Sequence, residues 1–259
     1  MVYGTPSGVG NCFLKHITTI LLFCLGACGG AADDVSPEAF VPEGSKVTYS
    51  DTREVCADRN PLRNLYWGDL HVHTSLSFDA YVHQTRLMPA DAYRFAQGES
   101  VLLPPLNEQG EGTIARQLTR SLDFAAVTDH AEFLAEVDSC VSADSPIFDS
   151  EYCQGYRGGG AEAITNMGIT LASPTPKHSD KVCGQVDCPA IVKGVWRRTM
   201  EAAEFAYDRS AQCRFTSFVA YEYSGATTVN NLHRNVIFRN NQVPALPISY
   251  MEEPTPQGL

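Results

Sequence analysis

Short runs of apolar residues recur along this chain, separated by stretches whose apolar positions return at helical spacing. LYWGDLHV, Leu65–Val72, reads as the first strand. Pro89 then opens a helix, PADAYRFAQ, with Gly98 at its C-cap, because proline suits a first turn and glycine a helix end. Residues 99–112 contain Gly, Pro and Glu and read as loop, and Thr113–Leu122 reads as helix again. DFAAVT, Asp123–Thr128, is the short apolar run that a buried parallel strand requires. Residues 139–188 show little periodicity and read as an excursion from the same domain. Pro189 starts the longest helix, to about Asp208, with Ile191, Val192, Val195, Trp196 and Met200 on one core-facing stripe. FTSFVAY, Phe215–Tyr221, is a third strand, and Arg234–Arg239 a fourth extended segment. Strand alternating with helix predicts an α/β class with a parallel sheet. A closed eight-stranded barrel takes about 250 residues, and here MEEPTPQGL follows only three or four strands. The chain is therefore expected to be the N-terminal part of a domain truncated at its C-terminus.

The N-terminal pattern is different. KHITTILLFCLGAC has an apolar core, Ile17–Leu25, too short to span a bilayer and typical of a signal peptide. Leu25-Gly26-Ala27-Cys28 resembles the lipobox of bacterial lipoproteins. The expectation is a signal peptide over 1–27, lipidation at Cys28 and a small, polar tether over 28–59. An exported lipoprotein at the bacterial envelope, facing the periplasm, would touch membrane only through that anchor.

Charge and cysteines narrow the picture. A net charge of −11 gives no electrostatic footprint for nucleic acid. Nine cysteines fall to six once Cys12, Cys24 and Cys28 are set aside. An even count in an oxidising compartment, without a CxxC pair, points to disulfides. Of the fifteen pairings open to six cysteines, local spacing favours Cys140 with Cys153 and Cys183 with Cys188. That leaves Cys56 for Cys213.

Candidate chemistry gathers at the strand ends. In GDLHVHTSLSFDA, Asp69, His71 and His73 alternate, so an extended chain projects them to one face, and the following turn can return Asp79 beside them. The second strand ends on Asp129-His130, the third leads into Glu222, and His233 opens the fourth segment. Strand C-terminal ends are where α/β folds place functional groups, and imidazoles converging with carboxylates suit a divalent metal. His83 and His178 lie in polar loops and read as solvent-exposed. Trp67 reads as core, Glu132 as a first-turn helix carboxylate, and Asp69 as either a ligand or a group orienting a histidine.

LHVHT, AVTDHAEF, FVAYEYS and LHRNVIFR together resemble the motifs of the PHP (polymerase and histidinol phosphatase) superfamily. More narrowly they resemble its exported bacterial branch, catalogued as domain of unknown function 3604, over Asn60–Leu259. The resemblance implies a distorted β/α barrel of TIM-like kind, holding two or three divalent ions, zinc or manganese, and hydrolysing phosphate esters. By that pattern His71 and His73 bind one metal, Asp79 and His130 complete a neighbouring set, Glu222 bridges, and His233 serves one ion. The pattern also has a later histidine and an Asp-x-His pair, which this sequence lacks. The chemistry is consistent with those roles: a carboxylate can bridge two cations about 3.5–4 Å apart in a hydrolytic site. Asp129 is expected to orient a ligand, and Arg234 to hold a substrate anion bidentately or to be a surface or ion-paired arginine. The expected function is an envelope-anchored phosphoesterase using a metal-activated water on a small anionic ester. The alternatives are an amidohydrolase-like metal hydrolase and a non-catalytic metal-binding domain.

Overall fold

A computed structural model describes residues 53–159, 161–226 and 230–255. The signal segment, Cys28 and most of the expected tether lie outside the described residues. In chain order the elements are β1 (Gly68–Val72), α1 (Phe78–Val82), α2 (Pro89–Ala96), β2 (Val101–Leu106), β3 (Gly112–Arg116), β4 (Phe124–Val127) and α3 (Leu134–Val141). There follow α4 (Glu151–Gly158), α5 (Ala161–Ala172), α6 (Asp180–Cys183), α7 (Cys188–Ala206), β5 (Thr216–Phe218), β6 (Ala220–Gly225) and β7 (Leu232–Ile237).

The apolar run of β4 makes it the centre of a three-stranded sheet, ordered β1-β4-β5 and parallel throughout. Gly68 begins β1 because a Cβ there would lie 2.3 Å from the ring and carbonyl of Phe124. Helices α2 and α7 pack on this sheet and on each other, as crossovers between parallel strands must. The stripe on α7 buries Val195 and Trp196 completely, and Ile191, Val192 and Met200 pack beside them. Its N-cap, Asp187, accepts the Ala190 amide at 3.1 Å, satisfying one of the orphan donors of the first turn.

Val219 interrupts the third predicted strand. β5 belongs to the parallel sheet, whereas β6 pairs antiparallel with β7. The class is thus mixed α/β, and among the described residues the strands form three sheets with no closed barrel.

Several expectations change. Pairing starts at Gly68 and not Leu65, so Trp67, expected in the core, is 55 % exposed even though its amide donates to Asp123. The expected loop 99–112 and helix Thr113–Leu122 are instead a β2–β3 hairpin, turned through Asn107 and Gly110 (φ +79°). Its prolines fall where the register is irregular and no third strand needs their missing N–H, which is why they are tolerated. The excursion 139–188 contains helices α4, α5 and α6, whose short lengths and Gly155, Gly158 and Gly168 hide the helical period. Its Cys140, Cys153, Tyr156, Met167 and Val182 belong to the main core. All three expected disulfides are present: Cys140–Cys153, Cys183–Cys188 and Cys56–Cys213. The last, with amide bonds from Glu54 to Arg209 and from Ala57 to Ala211, ties residues 54–57 to the domain rather than to a tether. Among the described residues no helix is long and apolar enough to cross a membrane.

Candidate metal centre

Local chain geometry delivers two histidines at the end of β1. Asp69 Oδ1 accepts the His71 amide at 2.9 Å, in the stretch where the β1–β4 register slips. Asp69 therefore fixes the His71 backbone and holds no imidazole. Past the strand, Asp129 accepts both the amide and the hydroxyl of Thr74, at 2.5 and 2.7 Å, which anchors the turn directly after His73. The two imidazoles end 4.9 Å apart, centroid to centroid.

Both reach the same carboxylate. Glu222, fully buried in β6, places Oε2 2.9 Å from His71 Nε2 and 2.8 Å from His73 Nε2. Its Oε1 contacts His233 Nδ1 and accepts the Ser224 hydroxyl at 2.7 Å. This is possible because Glu222, Ser224 and His233 share one face of the β6–β7 ribbon, with Ser224 directly opposite His233. Asn235, opposite Glu222, donates to the Leu70 carbonyl at 2.8 Å and so ties that ribbon to β1.

Asp79, in the first turn of α1, lies 3.1 Å from His73 Nδ1 and 3.7 Å from His130 Nε2. Ser77 is the hub there: its hydroxyl donates to Asp79 at 2.6 Å and accepts the His130 amide at 3.4 Å. His130, 3 % exposed, packs its ring on Phe78 at 4.7 Å. An isolated parallel bridge sets His130 beside Glu222.

The structure thus brings together all six residues singled out as ligands. Three overlapping groups can each hold a metal ion: His71, His73 and Glu222; His73, Asp79 and His130; and His130, Glu222 and His233. Within each, the donor atoms lie within 4.8 Å of one another. Two observations fit a metal. Nδ1 of His130 is buried without a hydrogen-bond partner, and four imidazoles with two carboxylates form a donor set suited to zinc, manganese or iron. The carboxylates are held ionised, as ligands must be. Burial opposes charge on Glu222, but His73, His130, Ser224 and His233 outweigh it and hold the carboxyl well below its usual range. Asp79 behaves alike, with His130, His73 and Ser77 outweighing its burial. Burial likewise opposes charge on His73, yet Asp79 and Glu222 push it up to about 10.

Two expected catalytic residues stand elsewhere. Asp129 touches no ligand side chain; it acts through Thr74, and burial pushes its carboxyl up to about 6 against that hydrogen bonding. Arg234 lies opposite Tyr223 on the other face of the β6–β7 ribbon from Glu222 and His233, so it is the surface arginine of the two readings offered. A fourth group, Glu136, His178 and Cys183, also falls within metal-binding distance. Its Cys183 sulfur is committed to a disulfide with Cys188 and is no thiolate ligand. His178 is not solvent-exposed as expected but bridges Glu136 at 2.9 Å and Glu252 at 3.1 Å. His83 is exposed, as its polar loop implies.

One participant escaped the sequence reading. Glu132 precedes α3, is fully buried, and accepts the amides of Ser224 at 2.8 Å and Tyr250 at 3.2 Å. Its free Oε2 lies 3.8 Å from His130 Nδ1. Burial, only partly offset by those amides, pushes it up to about 8. The available signal was an acidic residue set in the apolar run AAVTDHAEFLAEV, where a charge without a partner would be costly.

A family model described as "Protein of unknown function (DUF3604)" matches residues 60–259. No curated protein and no solved structure matches the chain.

Proposed function

We propose that this chain, which belongs to the DUF3604 family of proteins of unknown function, is a divalent-metal-dependent hydrolase of small anionic esters, phosphate esters first among them. The observation that carries the reading is one fully buried carboxylate, Glu222, with two imidazoles on one oxygen and a third on the other. A carboxylate so placed is built to bridge. Bound divalent ions, zinc or manganese by the donor set, would polarise an ester oxygen and acidify water toward neutral pH. His71, His73 and Glu222 would hold one ion, and His130, Glu222 and His233 a second, with Asp79 joining His73 and His130 for a third.

The remaining residues orient these. Ser224 fixes the Oε1 edge of Glu222, and Ser77 fixes Asp79. Asp129 secures the turn that presents His73. His71 and His233 are the exposed members, so the open side of the cluster lies between them, where a substrate can approach. The export machinery and lipid anchor read from the N-terminus would put this activity at the envelope, and the three disulfides are compatible with export.

The test is hydrolysis of 4-nitrophenyl phosphate by the full chain loaded with manganese or zinc. Activity should vanish with a chelator and return with metal, and Glu222→Gln should reduce it to background. Turnover that survives in Glu222→Gln, or that ignores the chelator, would remove the reading. Metal binding without turnover of any phosphate, carboxylate or sulfate ester would favour a non-catalytic metal domain.

A further inference from the structure

The excursion borders a half-open cavity of about 610 Å³ whose lining includes none of the clustered histidines. Its size falls in the range of small-molecule sites. Phe133, Tyr152, Tyr156 and Met167 supply apolar and aromatic lining, Lys177 and Lys181 supply two positive charges, and Glu151 supplies one negative charge. The lysines are notable in this acidic chain. Only three lysines fall among the described residues, Lys177, Lys181 and Lys193, and two of them line this one cavity. Neither forms an ion pair among the described residues, although the chain carries 30 Asp and Glu.

The walls are fastened. Cys140–Cys153 binds α4 to α3, and Cys183–Cys188 binds α6 to α7. The segment bearing Lys177 is pinned where His178 bridges Glu136 and Glu252 and where the Ser179 amide donates to Glu136 at 3.2 Å. A cavity held open by crosslinks and a buried carboxylate has already met the ordering cost that binding otherwise incurs.

We propose that this cavity binds an organic anion, with a planar or apolar body against Tyr152, Tyr156, Phe133 and Met167 and its acidic group at Lys177 and Lys181. The site backs onto the metal cluster through one aromatic layer. Phe78 packs on His130 at 4.7 Å and on Phe133 at 5.2 Å, and Tyr156 donates to the Phe78 carbonyl at 3.3 Å. The proposal does not depend on the hydrolase reading.

The probe is 1-naphthalenesulfonate, an aromatic anion with no hydrolysable ester, titrated calorimetrically into the full chain. One molecule should bind per chain. Lys177→Glu with Lys181→Glu should weaken binding by roughly tenfold or more, as two partly exposed charge pairs together allow. Gly155→Phe should block it: Gly155 lines the cavity on α4, and a Cβ there meets nothing within 4 Å, so the ring enters open space without straining the helix. His73→Ala should bind the probe as the parent does, which separates this site from the metal cluster. No binding at millimolar probe, binding unchanged by both cavity variants, or loss of binding in a folded His73→Ala variant would each overturn the proposal. Retained thermal unfolding cooperativity in every variant establishes that a loss is local.

Discussion

Glu132 shows what a single buried carboxylate does here. Its Oε1 is the acceptor for the amides of Ser224 and Tyr250, so it joins the strand bearing Glu222 to the segment after β7. Glu132→Ala strips both amides of their acceptor and is expected to cost about 2–4 kcal/mol in urea unfolding. Glu132→Gln keeps an accepting oxygen and should cost clearly less; equal losses would contradict the assigned contacts. His178 makes a pH-dependent contribution. Glu136 and Glu252, against burial, push it up to about 10 from an ordinary value of 6.5. A raised folded value means the stabilisation is fully present below pH 6.5 and fades as pH rises through about 10. The melting-temperature advantage of the parent over His178→Gln should therefore be greatest near pH 6 and shrink toward pH 10. An advantage constant across that range would show that the imidazole charge is not involved.

At the scale of elements, the disulfides differ in the length of chain they close. Cys56–Cys213 spans 157 residues and Cys183–Cys188 spans 5. By loop-closure entropy, Cys56→Ser with Cys213→Ser should cost about 3 kcal/mol more than Cys183→Ser with Cys188→Ser, measured by denaturant unfolding. Equal costs would mean that the unfolded chain keeps residues 53–57 near 209–213. The elements were legible where one signal dominated. β4 and α7 announced themselves by a continuous apolar run and an uninterrupted stripe, and β1 by the paired histidines at its end. The β2–β3 hairpin did not, because Pro104 and Pro105 mask a ribbon that makes no third-strand bonds. α4, α5 and α6 stayed hidden because tertiary packing, with a disulfide on α4 and another on α6, holds such helices where propensity does not. The break at Val219, which turns one expected strand into β5 and β6, carries no sequence mark, yet it is what swings Glu222 beside His130. The six clustered residues were nonetheless readable: His71 and His73 by alternation, His130 and Glu222 by their place at the ends of apolar runs, and Asp79 and His233 by motif resemblance. Arg234 stayed between two readings for lack of a register: its neighbour His233 takes the face toward Glu222, and alternation sends the arginine to the other.

At the scale of the whole molecule, strands and turns far apart in sequence converge on one buried carboxylate, Glu222. A ligand that binds only the folded cluster must stabilise it, by about 2.7 kcal/mol at a free concentration one hundred times its dissociation constant. Manganese or zinc should accordingly raise the melting temperature of the parent and leave Glu222→Gln nearly unmoved. The most direct measurement counts the ions themselves. The full chain and its Glu222→Gln variant, both dialysed to equilibrium against micromolar manganese or zinc, are assayed for metal per chain by mass spectrometry. The cluster predicts at least two ions per parent chain and fewer than one in the variant. A parent chain that retains no ion, or a variant that retains as many as the parent, would contradict it.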